Sequence, residues 1–396
     1  MKKHLLLTLC SVAVVCGVVG CRTNSDPYFD ATVKHVDMGG EMFVYKNLSA
    51  SMRSCENIMA YLEQAAHRPH TKSAVRAFAG TLDLKSIKAV AQSSVQVAPR
   101  LHVYKSFVLI EKNSKSILSG KAFRDEPIDE IMKSLPADTR LAIYGNVNSS
   151  FLWTRINEEI AASGDKTLIG IMNNVKANFK AKGVDVDALT ASLNGPMMLV
   201  VAGKSPLDIK FVVIIADKDG LLSNALRKKC PPEAGKSYFP VKDLPLFPKA
   251  RLVYSEGCVL FVSDPKLLEQ PAKMLGETKR FKKFAPQLPK KGCSFTIVDI
   301  SKNFADTFNF IIPKEYMLLP LKPFSMITVD SASEDGIASV TVSNFSVPAV
   351  FPKLMEGAAK GLLAKTGGMT KAIKSKAAPA KKLSAPAKKP AKKSAK

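Results

Sequence analysis

The chain has 396 residues, of which 46% are hydrophobic and 23% charged, the averages of an ordinary globular protein, so a fibre or a wholly disordered polymer is excluded. Its 58 basic against 34 acidic residues give a net charge of +24, a bias that points to an anionic partner. At this length two domains are the prior expectation, with chain enough to bury a large core.

Lys2 and Lys3 precede an uncharged run from Leu5 to Gly20 that closes on Val18-Val19-Gly20-Cys21. The run is shorter than the roughly 20 residues a membrane-spanning helix needs. A basic flank, an apolar stretch and a small residue before a cut match an export signal, so residues 1–20 are read as a signal peptide. The four closing residues resemble the lipobox of bacterial lipoproteins. That resemblance implies a fatty-acylated Cys21 thiol, cleavage before it, and a mature N-terminus anchored in a membrane without spanning it. Because Arg22, not Asp, follows the cysteine, it also implies the outer membrane where the organism has two. Residues 21–34, with Asn24, Ser25, Asp26 and Pro27, then form the lipidated cysteine and a polar spacer.

Export would place the remaining thiols, Cys55, Cys230, Cys258 and Cys293, in a compartment that permits disulfides. Cys258 and Cys293 each open a predicted strand after a glycine, which favours a bridge between neighbouring strands; buried free thiols are the open alternative. No C-x-x-C pair occurs, which argues against a thioredoxin-like centre or a zinc ribbon.

The body alternates β-type runs with helices of period 3.6, and most strands arrive as hairpins. A boundary at Leu135-Pro136-Ala137-Asp138 separates a first subdomain, residues 35–134, from a second, residues 135–350. Gly183 stops a helix running from about Lys166, and Asp185 and Asp187 stand where carboxylates stabilise the start of the next. Met197–Ala202 with Lys210–Ala216, Arg251–Tyr254 with Cys258–Ser263, and Ser325–Asp330 with Ile337–Asn344 read as hairpins. Asp217-Lys218-Asp219-Gly220 begins like a calcium loop, but Leu221 and Leu222 follow where oxygen ligands belong, so a turn capping the next helix is expected. Asp264-Pro265 opens a predicted helix Lys266–Leu275, and Ser301 caps another at Lys302–Ile311. Phe351, Leu354, Met355, Ala358, Leu362 and Leu363 form one stripe of a last helix, residues 351–366, which either docks on the body or meets a membrane.

Three segments align as strand, Asn or Asp, aliphatic residue and cap: Phe43–Ser49, Ala142–Asn148 and Phe295–Ser301. Duplication of a strand-helix-hairpin unit and coincidence of ordinary strand-to-helix chemistry both fit. The expected fold is α+β, with antiparallel sheets built from hairpins and helices packed on one face. Within residues 135–300, Leu135–Thr139, Val184–Leu189, Ser192–Pro196 and the turn at Tyr254–Gly257 resemble an uncharacterised family of exported bacterial proteins of unknown function. The likeness implies an α+β envelope protein and no catalytic residue.

No nucleotide-binding glycine loop, nucleophile elbow or H-E-x-x-H helix is present, so the reading is non-enzymatic, with no cofactor and no metal. His67-Arg68-Pro69-His70 is a poor metal pair because Pro69 interrupts helical spacing. Residues 371–396 hold ten lysines, eight alanines and three prolines without an acidic or aromatic residue, and with 367–370 they read as a disordered tail. The repeats around Lys381, Lys382, Lys388, Lys389, Lys392 and Lys393 resemble the tails of linker histones. An exported chain meets no chromosome, so specific nucleic acid is not expected; the partners become anionic envelope polymers or lipid headgroups, each lysine contributing on the order of 1 kcal/mol near such a surface. A merely solvated tail is the alternative for that segment. A carrier of lipid or another apolar ligand in the periplasm is the alternative function, since strands such as Phe211–Ile215 are apolar on both faces.

Overall fold

The computed structural model describes residues 26–346, apart from 66–67, 242–243, 245–246 and 313–320. In chain order come α1 (Phe29–Val33), β1 (Met42–Asn47), α2 (Ser49–Ala65), α3 (Pro69–Leu82), β2 (Ile87–Ala98) and β3 (Leu101–Ile110). Next are β4 (Glu126–Pro127), α4 (Asp129–Ser134), β5 (Thr139–Val147), α5 (Ser149–Ala162), α6 (Lys166–Ala181), α7 (Val186–Ser192), β6 (Gly195–Ala202) and β7 (Lys210–Ala216). The last stretch holds α8 (Leu221–Arg227), β8 (Tyr238–Pro240), β9 (Arg251–Ser255), β10 (Cys258–Val262), α9 (Lys279–Phe284), β11 (Lys291–Gly292), β12 (Ser294–Ile300), α10 (Lys302–Ile311), β13 (Phe324–Ser333) and β14 (Gly336–Ser343).

Twelve strands form one antiparallel sheet in the order β1-β2-β3-β14-β13-β12-β5-β6-β7-β10-β9-β8, while β4 and β11 pair separately. The fold is α+β and built from hairpins, as expected. The strand-helix-hairpin unit occurs three times, and the three aligned segments are its opening strands β1, β5 and β12. The third unit lies between the other two, with β14 against β3 and β12 against β5. Residues 35–134 and 135–350 therefore share one sheet.

Antiparallel pairing dictates where the helices go. In each unit the opening strand pairs with the strand that follows the helices, Asn47 opposite Ala89 and Val147 opposite Gly195, so the chain leaves and re-enters at one end of the sheet. Strand direction alternates along the order, which makes β1 and β5 parallel in space and β12 opposed to them. Helices α2, α3, α5, α6 and α7 thus gather at one end, where α3 packs on α2, α5 and α6, and α10 lies at the other.

The core follows from period-2 alternation. Val103, Val342, Ile327, Ile297, Ala142, Val200, Val212 and Val262 are successive cross-strand partners and form one buried row on the inner face. Met132 of α4, Leu275, Phe281 and Phe284 of α9, and Leu288 cover that row. Farther along the same face, α1 brings Val33 and Val36 onto Ala89, Ala91, Phe107 and Leu109, with the His35 ring stacked 3.7 Å from Phe107. Burial pushes the pKa of His35 below its ordinary value, and the Lys34 charge lowers it further. On the outer face Leu48, just before α2, and Met52 in its first turn pack against Ile87 and Val90.

Local signals in the sequence act as read. Gly183 ends α6 at φ +75°, and Ser301 accepts from the Phe304 amide at 3.3 Å to start α10. Two expectations are corrected. Residues 28–33, read as part of a polar spacer, instead form α1 and its N-cap, with Thr32 and Val33 buried. Asp264 caps a single tight turn, Pro265–Leu268, instead of a helix to Leu275. Pro271 lacks an amide hydrogen and disfavours helical geometry at Gln270, so the helix cannot continue.

Gly336 sets the close approach of β14 to β3. A Cβ there would overlap the Val108 carbonyl oxygen and stand 2.7 Å from the Phe107 ring. Gly336→Ala is expected to lower stability by about 2–3 kcal/mol, read as an earlier midpoint in urea unfolding.

Candidate functional site

Asp299 continues the inward positions Phe295 and Ile297 of β12, so alternation turns a carboxylate into the core, where its side chain is 3% exposed. A buried anion needs paired charge and hydrogen bonds. Arg140 of β5 donates from Nη1 to Asp299 Oδ2 at 2.8 Å and from Nε to the Gly203 carbonyl at 2.7 Å. Arg280 of α9 pairs with Asp299 Oδ1, to which the Ser325 hydroxyl also donates at 2.7 Å. Both oxygens are occupied, so the cluster clamps α9 onto the sheet and offers no free acid or base. The equivalent positions of the other units do related work: Asn47 donates to Asp26 at 3.1 Å, and Asn146 bonds to Glu126, whose pKa burial raises.

Asp217 is fully buried beyond the end of β7. It accepts from the Ser192 hydroxyl and from the amide and hydroxyl of Ser223, each at 2.7 Å, and from the Leu222 amide at 3.0 Å. Burial alone would raise its pKa; these donors outweigh burial and hold the carboxyl below the usual carboxylate range. The turn Asp217–Gly220 thus caps α8, as its sequence suggested, and ties α7 to it.

The thiols require a correction. Cys258 begins β10 and Cys293 immediately precedes β12, and β5, β6 and β7 lie between those strands. Four strand spacings of about 4.8 Å far exceed the reach of a disulfide. Both cysteines are free, as are Cys55 and Cys230. Gly257 marks the turn before Cys258, whereas Gly292 lies in the short strand β11, and only sheet order says which strands are neighbours. Cys293 is buried, and burial with the nearby Asp330 and Asp125 pushes its thiol up to about 12.

His70 lies in the first turn of α3, and His67 is outside the described residues. His102 Nδ1 lies 3.2 Å from Glu41. Among the described residues no group of three or more His, Cys, Asp or Glu could hold a metal ion. A polar cleft of about 520 Å³ is lined by Lys85, Lys112, Lys115 and Arg155 and by Asp83, Glu111 and Glu159, with Arg155 paired to Glu159, so both signs of charge face it. A more apolar groove of about 690 Å³ opens on the inner face between the segment after α1 and residues 286–289. Val95, Val97, Val103, Leu288 and Val340 line it, and Lys105, paired with Asp37 at 2.9 Å, stands at its side. The run Phe211–Ile215 forms no part of that groove. Val212 and Ile214 face the core, and Phe211 packs edge-on to Phe247 on the other face.

Cys21, the stripe of residues 351–366 and the lysines from Lys381 to Lys393 lie outside the described residues. Comparison with family models, curated proteins and solved structures finds no match. Sequence reasoning overlooked the Asp299 cluster, although a lone carboxylate on the apolar parity of Phe295 and Ile297 was the available signal.

Asp299→Ala would leave Arg140 buried without its partner and is expected to cost about 3–5 kcal/mol by urea unfolding, with Arg280→Ala costing less because that side chain is partly solvated. Protein alkylated in its native state near pH 8 is expected to leave Cys293 unmodified, and mass spectrometry without reductant should show no Cys258–Cys293 bridge.

Proposed function

We propose that this chain is a non-enzymatic lipoprotein of the cell envelope, anchored through acylated Cys21, whose lysine tail engages anionic envelope polymers or lipid surfaces. The observation that carries this reading is the closing motif Val18-Val19-Gly20-Cys21 behind a basic flank and a short apolar run. Two or three acyl chains, at about 0.8 kcal/mol per buried methylene, make attachment effectively permanent, whereas one chain alone would not. Arg22, where an inner-membrane retention signal would have Asp, favours an outer membrane where there are two. No helix among the described residues is long and apolar enough to cross a membrane.

The lysines of residues 371–396 are spaced along a segment too polar to bury a core of its own, so they remain available to a polyanion. Tethering at Cys21 keeps them at roughly millimolar effective concentration near the surface, so weak individual contacts suffice. A second reading, a carrier of an apolar ligand, draws on the groove at Val95, Val103, Leu288 and Val340, whose volume falls within the range of small-molecule sites.

Mass spectrometry of the N-terminal peptide from host membranes is expected to show diacylglyceryl-modified Cys21, and Cys21→Ser should leave the leader uncut and unmodified. Deleting residues 371–396 from unacylated protein is expected to abolish its salt-sensitive sedimentation with cell-wall or acidic-lipid preparations. Sedimentation unchanged by the deletion would remove the tail from the proposal, and a ligand retained in native mass spectrometry would favour the carrier.

A further inference from the structure

At the end of the sheet where β1 and β5 stop, large apolar side chains stand in solvent. Helix α6 contains no buried residue, and its Ile171, Val175 and Phe179, spaced four apart on one stripe, are 50%, 39% and 46% exposed. In the second half of α2, Ile58, Tyr61 and Leu62 are 58%, 68% and 47% exposed. A helix held only by its neighbouring helices ordinarily hides such a stripe against them. Here the stripe is wider than the contact with α3, α5 and α7 can cover.

Helix α6 itself carries charge of one sign, while the second half of α2 carries Glu63, which pairs with Arg76 of α3. Residues 166–181 include Lys166, Lys176 and Lys180 and no carboxylate, and Lys182 follows directly. Lys176 is paired, 3.0 Å from Asp187 of α7 and 5.5 Å from the Trp153 ring. Lys166, Lys180 and Lys182 are exposed. Apolar residues along one side with lysines around them are the composition of a helix that lies in the headgroup region of an anionic bilayer.

The start of the described chain sits at this same end. Asp26 accepts a hydrogen bond from Asn47, the last residue of β1, at 3.1 Å, and from the Tyr28 amide at 3.0 Å. Cys21 stands five residues earlier, so it reaches at most about 18 Å from that point. An acyl group there would bring the lipid surface to the helices and not to the opposite end, where Phe310 of α10 is 90% exposed.

We propose that α6, together with the second half of α2, lies against an anionic lipid surface, with Ile171, Val175 and Phe179 entering the headgroup layer. The choice of a bilayer as occupant rests on the anchored-lipoprotein reading above. The helix would thereby fix how the body is oriented on its membrane, which a flexible spacer alone cannot do.

The test uses residues 22–396, which keep every described residue and carry no acyl group, with vesicles of phosphatidylglycerol and phosphatidylethanolamine. Raised salt screens the tail lysines, so the binding that survives reports apolar insertion. Ile171→Glu with Phe179→Glu is expected to weaken that salt-resistant binding about tenfold or more, because each lost apolar insertion is worth on the order of one decade. Phe310→Glu, at the far end, is expected to leave it unchanged. As a second measurement, Phe179→Trp is expected to be quenched by brominated lipid in those vesicles and Phe310→Trp not.

Salt-resistant binding absent from the unsubstituted protein, retained in the double variant, or lost equally in Phe310→Glu overturns the proposal. So does a concentration-dependent dimer that the double variant abolishes without any effect on vesicles, which would make a second copy the occupant. Acylation of Cys21 is scored separately by mass spectrometry, so an anchored protein whose α6 ignores lipid refutes this inference and leaves the anchor standing.

Discussion

The pairings of β14 with β3 and of β12 with β5 hold this molecule together as one body. Strands β3 and β5 belong to different units, and each would otherwise be an open sheet edge, with unpaired amides and carbonyls ready to template association. The third unit, made last in the chain, fills the space between them. Its residues Gly336–Ser343 align with His102–Leu109, and Ser294–Val298 with Leu141–Gly145, so both edges are closed by long ladders. The β12–β5 contacts span about 150 residues and the β14–β3 contacts more than 200, so closing both edges costs chain entropy that local hairpins do not.

Each structural layer reinforces that insertion. The row from Val103 to Val262 crosses both junctions without a break, so the inserted strands share a continuous buried row with the strands on either side. Each fully buried aliphatic side chain in it contributes about 1.5–3 kcal/mol relative to exposure, before the entropy of ordering is counted. The cluster of Arg140, Asp299, Arg280 and Ser325 ties β5, β12, β13 and the covering helix α9 at one point. Replacement by apolar residues would often be as stable as such a buried ion group. Its geometry is directional, however, and it discriminates against a slipped register in a way that interchangeable Val and Ile side chains do not.

The distribution of surface properties follows from the same topology. An antiparallel unit must place its connecting helices beyond the strand ends, so two of the three units put their helices at one end and leave those helices with few strands to cover them. That end collects the exposed apolar residues of α2 and α6, and the chain's approach from residue 26. The inner face, by contrast, is closed by short helices and turns from α1 to Leu288, with a groove only where that cover changes from one segment to another. A protein held at residue 21 would present its helical end to the surface that holds it and its far end to the surroundings.

Local chemistry in the chain determined much of this on its own. Hairpin turns at Ser255-Glu256-Gly257 and at Ser333–Gly336, the Ser301 cap, the Gly183 stop and the Asp217 turn act through residues a few positions apart, so their outcome needs no knowledge of the rest of the chain. The lipobox-like run Val18-Val19-Gly20-Cys21 and the lysines of residues 371–396 are likewise features of linear order. Tertiary structure alone decided the order of the strands, and with it the fate of Cys258 and Cys293, the burial of Asp299 against two arginines, and the convergence of α2 and α6. Those outcomes depend on which distant segments become neighbours. Strand pairing is encoded in a pleat that many registers share, and only the simultaneous closure of one core and both edges selects among them.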